Sequence, residues 1–126
     1  AGTDREKRVS GARILLVEDN PDSSEMLKMV LQSRGYEVEI AGSGKEALDS
    51  VHSQCPAAAI VDIGLPDMTG IEVVRQLRHE SSAKLPILIA VSGYGEDDDK
   101  KAAREAGFDA YLTKPVRVED VVALLG

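Results

Sequence analysis

The sequence predicts a doubly wound α/β fold, a five-stranded parallel sheet with helices on both faces. Three observations point to it. Short apolar runs alternate five times with amphipathic stretches. The runs "ILLV", "AAAIV" and "PILIAV" are nearly unbroken, as expected of parallel strands covered on both faces. Strands joined through helices run parallel, with right-handed crossovers.

The elements follow in order. Strands are expected at Arg13–Val17, Glu37–Ala41, Ala57–Val61, Pro86–Val91 and Ala110–Leu112. The second, "EVEIA", alternates and fits an edge. The first helix spans Pro21–Arg34: Asn20 caps it, Pro21 suits its first turn and Gly35 follows its end. Met26, Leu27, Val30 and Leu31 form its apolar stripe. The second and third helices open on Ser43/Glu46 and Thr69/Glu72, both at capping-box spacing. Ala47, Leu48 and Val51 face inward from the second, Val73, Val74 and Leu77 from the third. The fourth runs Glu96–Ala106 before Gly107, and the fifth starts near Arg117 with Val118, Val121, Val122 and Leu125 apolar. For the fourth helix Ala102, Ala103 and Ala106 are the apolar packing, so weak docking is expected.

The 126 residues suit one domain, a polar tail over 1–11 followed by a folded unit over 12–126. Hydrophobic residues make up 43% and charged residues 29%, ordinary for a globular chain. The net charge of −7 makes direct nucleic-acid binding a poor expectation, since phosphate contacts need clustered Lys or Arg. No apolar run approaches the ~20 residues of a membrane span, so no membrane contact is expected. The single cysteine, Cys55, cannot form an internal disulfide, which suits a reducing, cytoplasmic setting; it reads as a small packing residue. His52 and His79 read as exposed and isolated, Asp67 and Asp109 as turn residues. The chain does not open with Met, which favours a fragment of a larger protein.

Chemistry concentrates where apolar runs end. "RILLVEDNP" stops at Glu18 and Asp19, and "AAAIVDIGLP" at Asp62. In strand order 2-1-3-4-5, the flavodoxin-like arrangement, strands one and three are neighbours at the switch point where ligands sit. The acids then converge. At an effective dielectric near 20, each charge pair at ~4 Å costs about 4 kcal/mol, so a neutralising cation is expected. Oxygen donors without His or Cys argue for Mg²⁺ rather than zinc. Ser92 and Lys114 stand at the ends of strands four and five and face the same crevice. A carboxylate, a cation, a hydroxyl and an ammonium suit phosphoryl transfer through an aspartyl phosphate.

The pieces "LLVEDN", "VDIGLPDMTG", "AVSGYG" and "YLTKP", in this order, closely resemble the receiver domains (CheY-like) of two-component response regulators. The resemblance covers about Ala12 to Leu125. It implies that Asp62 is the phosphoacceptor. It implies further that Glu18, Asp19, Asp62 and the Gly64 carbonyl hold Mg²⁺ (or Mn²⁺), and that Ser92 and Lys114 contact the phosphoryl group. Tyr111 stands at the aromatic switch position, which follows Ser92. Where the family has Thr or Ser, this chain has Ser, which lacks a methyl group and could loosen that coupling. The resemblance also implies a phosphohistidine donor, from a histidine kinase or a histidine phosphotransfer domain. The domain would itself catalyse transfer and later hydrolysis. Downstream lie effector domains or tethered kinase domains, and the stretch "SGYGEDDDKKAAREAGFDAYLTKP" is similar to receivers of hybrid sensor histidine kinases. The fourth helix, fifth strand and fifth helix are the expected output face.

Other readings fit less well. "GSGKE" is no P-loop, because Glu39 stands where its first Gly belongs and Glu46 where Ser or Thr belongs. "EDDDKK" lacks the EF-hand spacing. A phosphatase of the haloacid dehalogenase type resembles D-x-D, and Asp62-Ile63-Gly64 lacks the second Asp. A flavin or nucleotide carrier would not line its crevice with acids. A degenerate receiver used only for docking is at odds with the intact site set.

Overall fold

Parallel strands bury both faces, so each strand must supply apolar side chains in both directions, and the order of the sheet then decides what meets at its ends. The computed structural model describes residues 12–63, 70–80, 86–93, 97–114 and 116–125. Its strands are β1 (Arg13–Val17), β2 (Glu37–Ala41), β3 (Ala58–Asp62), β4 (Ile87–Ser92) and β5 (Ala110–Thr113). They form one parallel sheet in the order β2-β1-β3-β4-β5. The helices are α1 (Pro21–Ser33), α2 (Gly44–Ser53), α3 (Gly70–Glu80), α4 (Asp97–Ala106) and α5 (Val118–Leu125).

The two faces of the sheet carry separate cores. Leu15, Val17, Ala59, Val61, Leu88 and Ala90 point to one side, against Leu48 and Val51 of α2, Val74 and Leu77 of α3 and Ala103 of α4. Ile14, Leu16, Ile60, Ile89 and Val91 point to the other, against Leu31 of α1 and Val118 and Val121 of α5. This is the period-two alternation of a strand, with both halves apolar.

The first two strands match the expected bounds. β3 and β4 each lie one residue later than the apolar runs indicate, and β5 runs one residue longer. The ladder is made by backbone groups, which pair regardless of side-chain polarity, so Asp62 pairs with Val91 and Ser92 with Thr113. The caps are as expected where they are described. Asn20 accepts from the amides of Asp22 and Ser23, and Ser43 accepts from that of Glu46. The Glu46 carboxylate reaches back to the Gly42 amide at 2.9 Å, one residue before the cap. Gly35, at φ 93°, ends α1 as a left-handed residue. Thr69, Gly64, Pro115 and the expected start of α4 at Glu96 lie outside the described residues.

Two packing expectations are corrected. Met26 is 69% exposed and Val30 38%, so only Leu27 and Leu31 of the α1 stripe turn to the sheet. The stripe is wider than the surface that β1 and α5 offer it. Cys55 is exposed, because it lies in the loop after α2 rather than on that helix's inner face. His52 and His79 are exposed, as expected.

Gly70 shows how closely α3 approaches the site strand. Its amide donates to the Ile63 carbonyl at 2.9 Å. A Cβ there would lie 2.7 Å from the Asp62 carbonyl oxygen and 2.9 Å from Val61 Cγ1. Gly70→Ala is therefore expected to destabilise the domain by about 1–3 kcal/mol, the usual cost of overpacking. An unchanged urea midpoint and slope would refute the close contact.

Candidate functional site

The strand order sets the site. β1 and β3 are neighbours, while their following helices α1 and α3 leave on opposite faces of the sheet, which opens a crevice beyond their carboxyl ends. Glu18 and Asp19 follow β1 directly, and Asp62 is the last residue of β3. One carboxylate oxygen from each lies within 4.8 Å of the others. Glu18 and Asp62 are buried, and Asp19 is exposed. Sequence reasoning expected this convergence, and the structure has it.

The two buried acids are held in place. The Glu18 amide donates to the Ala41 carbonyl of β2 at 3.0 Å, and its Oε1 accepts from the Asn20 amide at 3.3 Å. Asn20 thus does two things: it caps α1 and steers Glu18. Its position two residues after Glu18 was the available signal, but only the capping use is legible from sequence. Asp62 sits in the β3–β4 ladder, and the next amide, Ile63, donates to Val91 at 3.1 Å.

Lys114 lies opposite. Its Nζ donates to Asp62 Oδ2 at 2.8 Å and lies 3.2 Å from Glu18 Oε2. Its amide donates to the Ser92 carbonyl at 2.9 Å, so β5 and β4 together aim the side chain. Ser92 is buried at the end of β4. Tyr111 is half-buried on β5 and packs against the core that α2, α3 and α4 cover; its hydroxyl is buried with no hydrogen-bond partner among the described residues. Gly64 lies outside the described residues.

The electrostatics follow from the crowding. Burial and the neighbouring Asp62 carboxylate raise the Glu18 pKa, although Lys114 and the Asn20 amide pull it down. Burial alone would lower the Lys114 pKa, but Asp62 and Glu18 outweigh it and raise the value. Among the described residues one ammonium faces the three carboxylates.

The donor set fits Mg²⁺. All three side chains offer hard oxygens, and no His or Cys intervenes. Oxygens on one octahedral Mg²⁺ stand roughly 3.0 Å apart when adjacent and roughly 4.2 Å apart when opposite, so the three acids are near enough to share an ion after drawing together. Beside them opens a cleft of about 450 Å³, walled by Leu16, Leu27, Val30, Ile60, Val91 and Val116, with Glu18, Asp62 and Lys114 also lining it.

A doubly wound α/β domain with acids and a lysine at its switch point defines the class. The family model for the response regulator receiver domain matches residues 14–126, and the chain belongs to that family. It is 40% identical over 111 residues to the response regulator MprA of Mycolicibacterium vanbaalenii, covering 88% of this chain and 47% of that protein. The chain spans about half the length of most of the curated relatives it matches. Among solved structures it is similar to the receiver domain of the sensor histidine kinase PA1611 of Pseudomonas aeruginosa, which has a magnesium ion coordinated in its active-site cleft. The identity there is 30% and the TM-score 0.83, over 92% of this chain and 95% of that one. The chemotaxis protein CheY4 of Vibrio cholerae matches at 30% identity and TM-score 0.83, over 92% and 97%. No helix among the described residues is long and apolar enough to cross a membrane.

The raised Glu18 pKa has a stability consequence. A carboxyl whose folded pKa lies above its ordinary 4.5 contributes most below that value and loses its contribution as pH rises through the folded pKa. Without metal, Glu18→Gln should match the wild type near pH 4 and become the more stable of the two as pH rises towards 7. Added Mg²⁺ should stabilise the wild type and not the variant. Thermal melts over this range check it, and a gap that shrinks with rising pH would refute it.

Proposed function

We propose that Asp62 accepts a phosphoryl group from a phosphohistidine, and that the acceptor state biases the packing of β5, α4 and α5. The observation that carries the reading is the convergence of Glu18, Asp19 and Asp62 opposite Lys114, whose Nζ stands 2.8 Å from Asp62. In the step, an Asp62 oxygen attacks phosphorus, the P–N bond breaks, and its electron pair leaves with the imidazole. Glu18, Asp19, Asp62 and the Gly64 carbonyl are the proposed holders of Mg²⁺, with Mn²⁺ as a substitute. When bound, the ion offsets the acids' repulsion and the charge gathering on the phosphoryl oxygens. Lys114 stabilises one of those oxygens, and the Ser92 hydroxyl hydrogen-bonds another. The later loss of the phosphoryl group to water occurs at the same atoms.

The proposed donors are a histidine kinase or a histidine phosphotransfer domain. The apolar cleft beside the acids, together with the exposed Met26 and Met29 on α1, supports an apolar partner surface at this corner. Output is proposed through α4, β5 and α5. Among its described residues α4 buries Ala103 and Ala106, two small side chains, and so is proposed as the helix most easily moved. Ser92 couples to this face through Tyr111. The proposed setting is the cytoplasm, within a phosphorelay.

Acetyl phosphate with Mg²⁺ should add one phosphoryl group by intact-mass measurement, and Asp62→Asn should abolish the gain while leaving the fold intact by circular dichroism. An equally labelled Asp62→Asn protein would refute the assignment. Lys114→Ala should keep Mg²⁺ affinity and lose labelling or the conformational response. Loss of metal binding in that variant would place Lys114 in a different role.

A further inference from the structure

We infer that Asp109 and Arg78 are positioning residues for Lys114, fixing the register of β5 from the end of the sheet opposite the acids. The inference rests on the reading above, in which Lys114 serves the phosphoryl group. β5 has four residues and lies at the edge of the sheet, with β4 as its one neighbour. A four-residue edge strand has few ladder bonds to hold its register, and a slip of one residue turns every side chain to the other face. Lys114 directly follows this strand, so its reach to Asp62 depends on where β5 starts.

Asp109 fixes that start twice. Its amide donates to the Leu88 carbonyl at 2.7 Å, and its Oδ2 accepts from the Leu88 amide at 2.8 Å. One residue thus bonds both main-chain groups of the second residue of β4, and a slip breaks both bonds at once. The remaining carboxylate oxygen lies 3.5 Å from Nη2 of Arg78, in the last turn of α3. Nε and Nη2 of the same arginine donate to the Gly107 carbonyl at 3.2 and 2.5 Å. Gly107 has φ +115°, and a Cβ there would lie 2.8 Å from Arg78 Nε. The guanidinium therefore fits against a turn that only glycine makes easily. The result is a strut from α3 to the first residues of the β5 segment. At the far end Thr113 pairs with Ser92, and the Lys114 amide bonds the Ser92 carbonyl.

A role in overall stability alone would not separate metal binding from phosphoryl transfer. Positioning does, because Glu18 and Asp19 follow β1 and Asp62 ends β3, two strands whose ladder partners do not include β5. The test uses Asp109→Ala, Asp109→Asn and Arg78→Ala in this chain. It measures amide hydrogen exchange over 110–114, labelling by acetyl phosphate, and Mg²⁺ affinity by calorimetry. Asp109→Ala is expected to speed exchange over 110–114 and to slow labelling, each by about tenfold, as loss of one part-buried hydrogen bond to a charged group allows. Its Mg²⁺ affinity should stay within about twofold, a change below the worth of one such bond. Arg78→Ala should shift the same two readouts in the same direction by less. Asp109→Asn keeps an acceptor for the Leu88 amide and should fall between the wild type and Asp109→Ala. Wild-type labelling and exchange in both alanine variants would overturn the inference. So would losses of labelling and Mg²⁺ affinity in equal proportion. Should Asp109→Ala fail to fold, Arg78→Ala, at an exposed position, decides. A wild-type protein that takes no label at all refutes the proposed function instead, and exchange over 110–114 in the variants then decides the strut alone.

Discussion

The Lys114 ammonium, shared between Asp62 and Glu18, is the contact on which the site depends. Three carboxylates gathered at two strand ends repel one another, and burial removes the water that would screen two of them. The lysine lies within 3.2 Å of both buried acids; the acids raise its proton affinity, while it lowers that of Glu18 without cancelling the effect of burial and of Asp62. Burial chiefly raises the Glu18 value and the two acids raise that of Lys114, so the crevice gathers negative charge that a further cation would offset. The donor atoms are hard oxygens of the kind that Mg²⁺ takes.

That contact exists only because of the sheet. The lysine comes from β5 and the acids from β1 and β3, with β4 between. Parallel strands put all their carboxyl ends on one edge, and the crossovers leave β1 and β3 adjacent there while their helices part. The inner strands can be nearly all apolar because helices cover both faces. That leaves the strand ends as the places where polar groups can stand without disturbing a core. Asp62 and Ser92 lie inside the ladder, each with a paired residue on the neighbouring strand. Their backbones are therefore fixed by hydrogen bonds that do not depend on what their side chains do.

Most of this arrangement was legible in the sequence. Unbroken apolar runs marked β1, β3 and β4, and alternation marked β2 as an edge. Asn20 and Ser43 marked two helix starts, and the acids at the run ends marked the crevice. The differences share a cause. Runs of apolar residues report burial and not hydrogen bonding, so they place the ends of β3 and β4 one residue early. A 3.6-residue stripe reports which side of α1 is apolar and not how much of it a neighbour covers, so Met26 and Val30 were placed with Leu31. Arg78 and Asp109 stand 31 positions apart, and nothing local tells that they meet. Asp109 reads as a turn residue from its neighbours alone. Its bonds to Leu88 depend on long-range pairing that only the folded sheet reveals.

The Tyr111 hydroxyl has a further consequence. It has been withdrawn from solvent and has no acceptor in its place among the described residues. Among the described residues the ring is held by dispersion and apolar contact, against a penalty of about 1–3 kcal/mol for the dehydrated phenol. Any rearrangement that returns the oxygen to water recovers that sum. The resting orientation of this ring is thus held against a counterweight carried by the same residue.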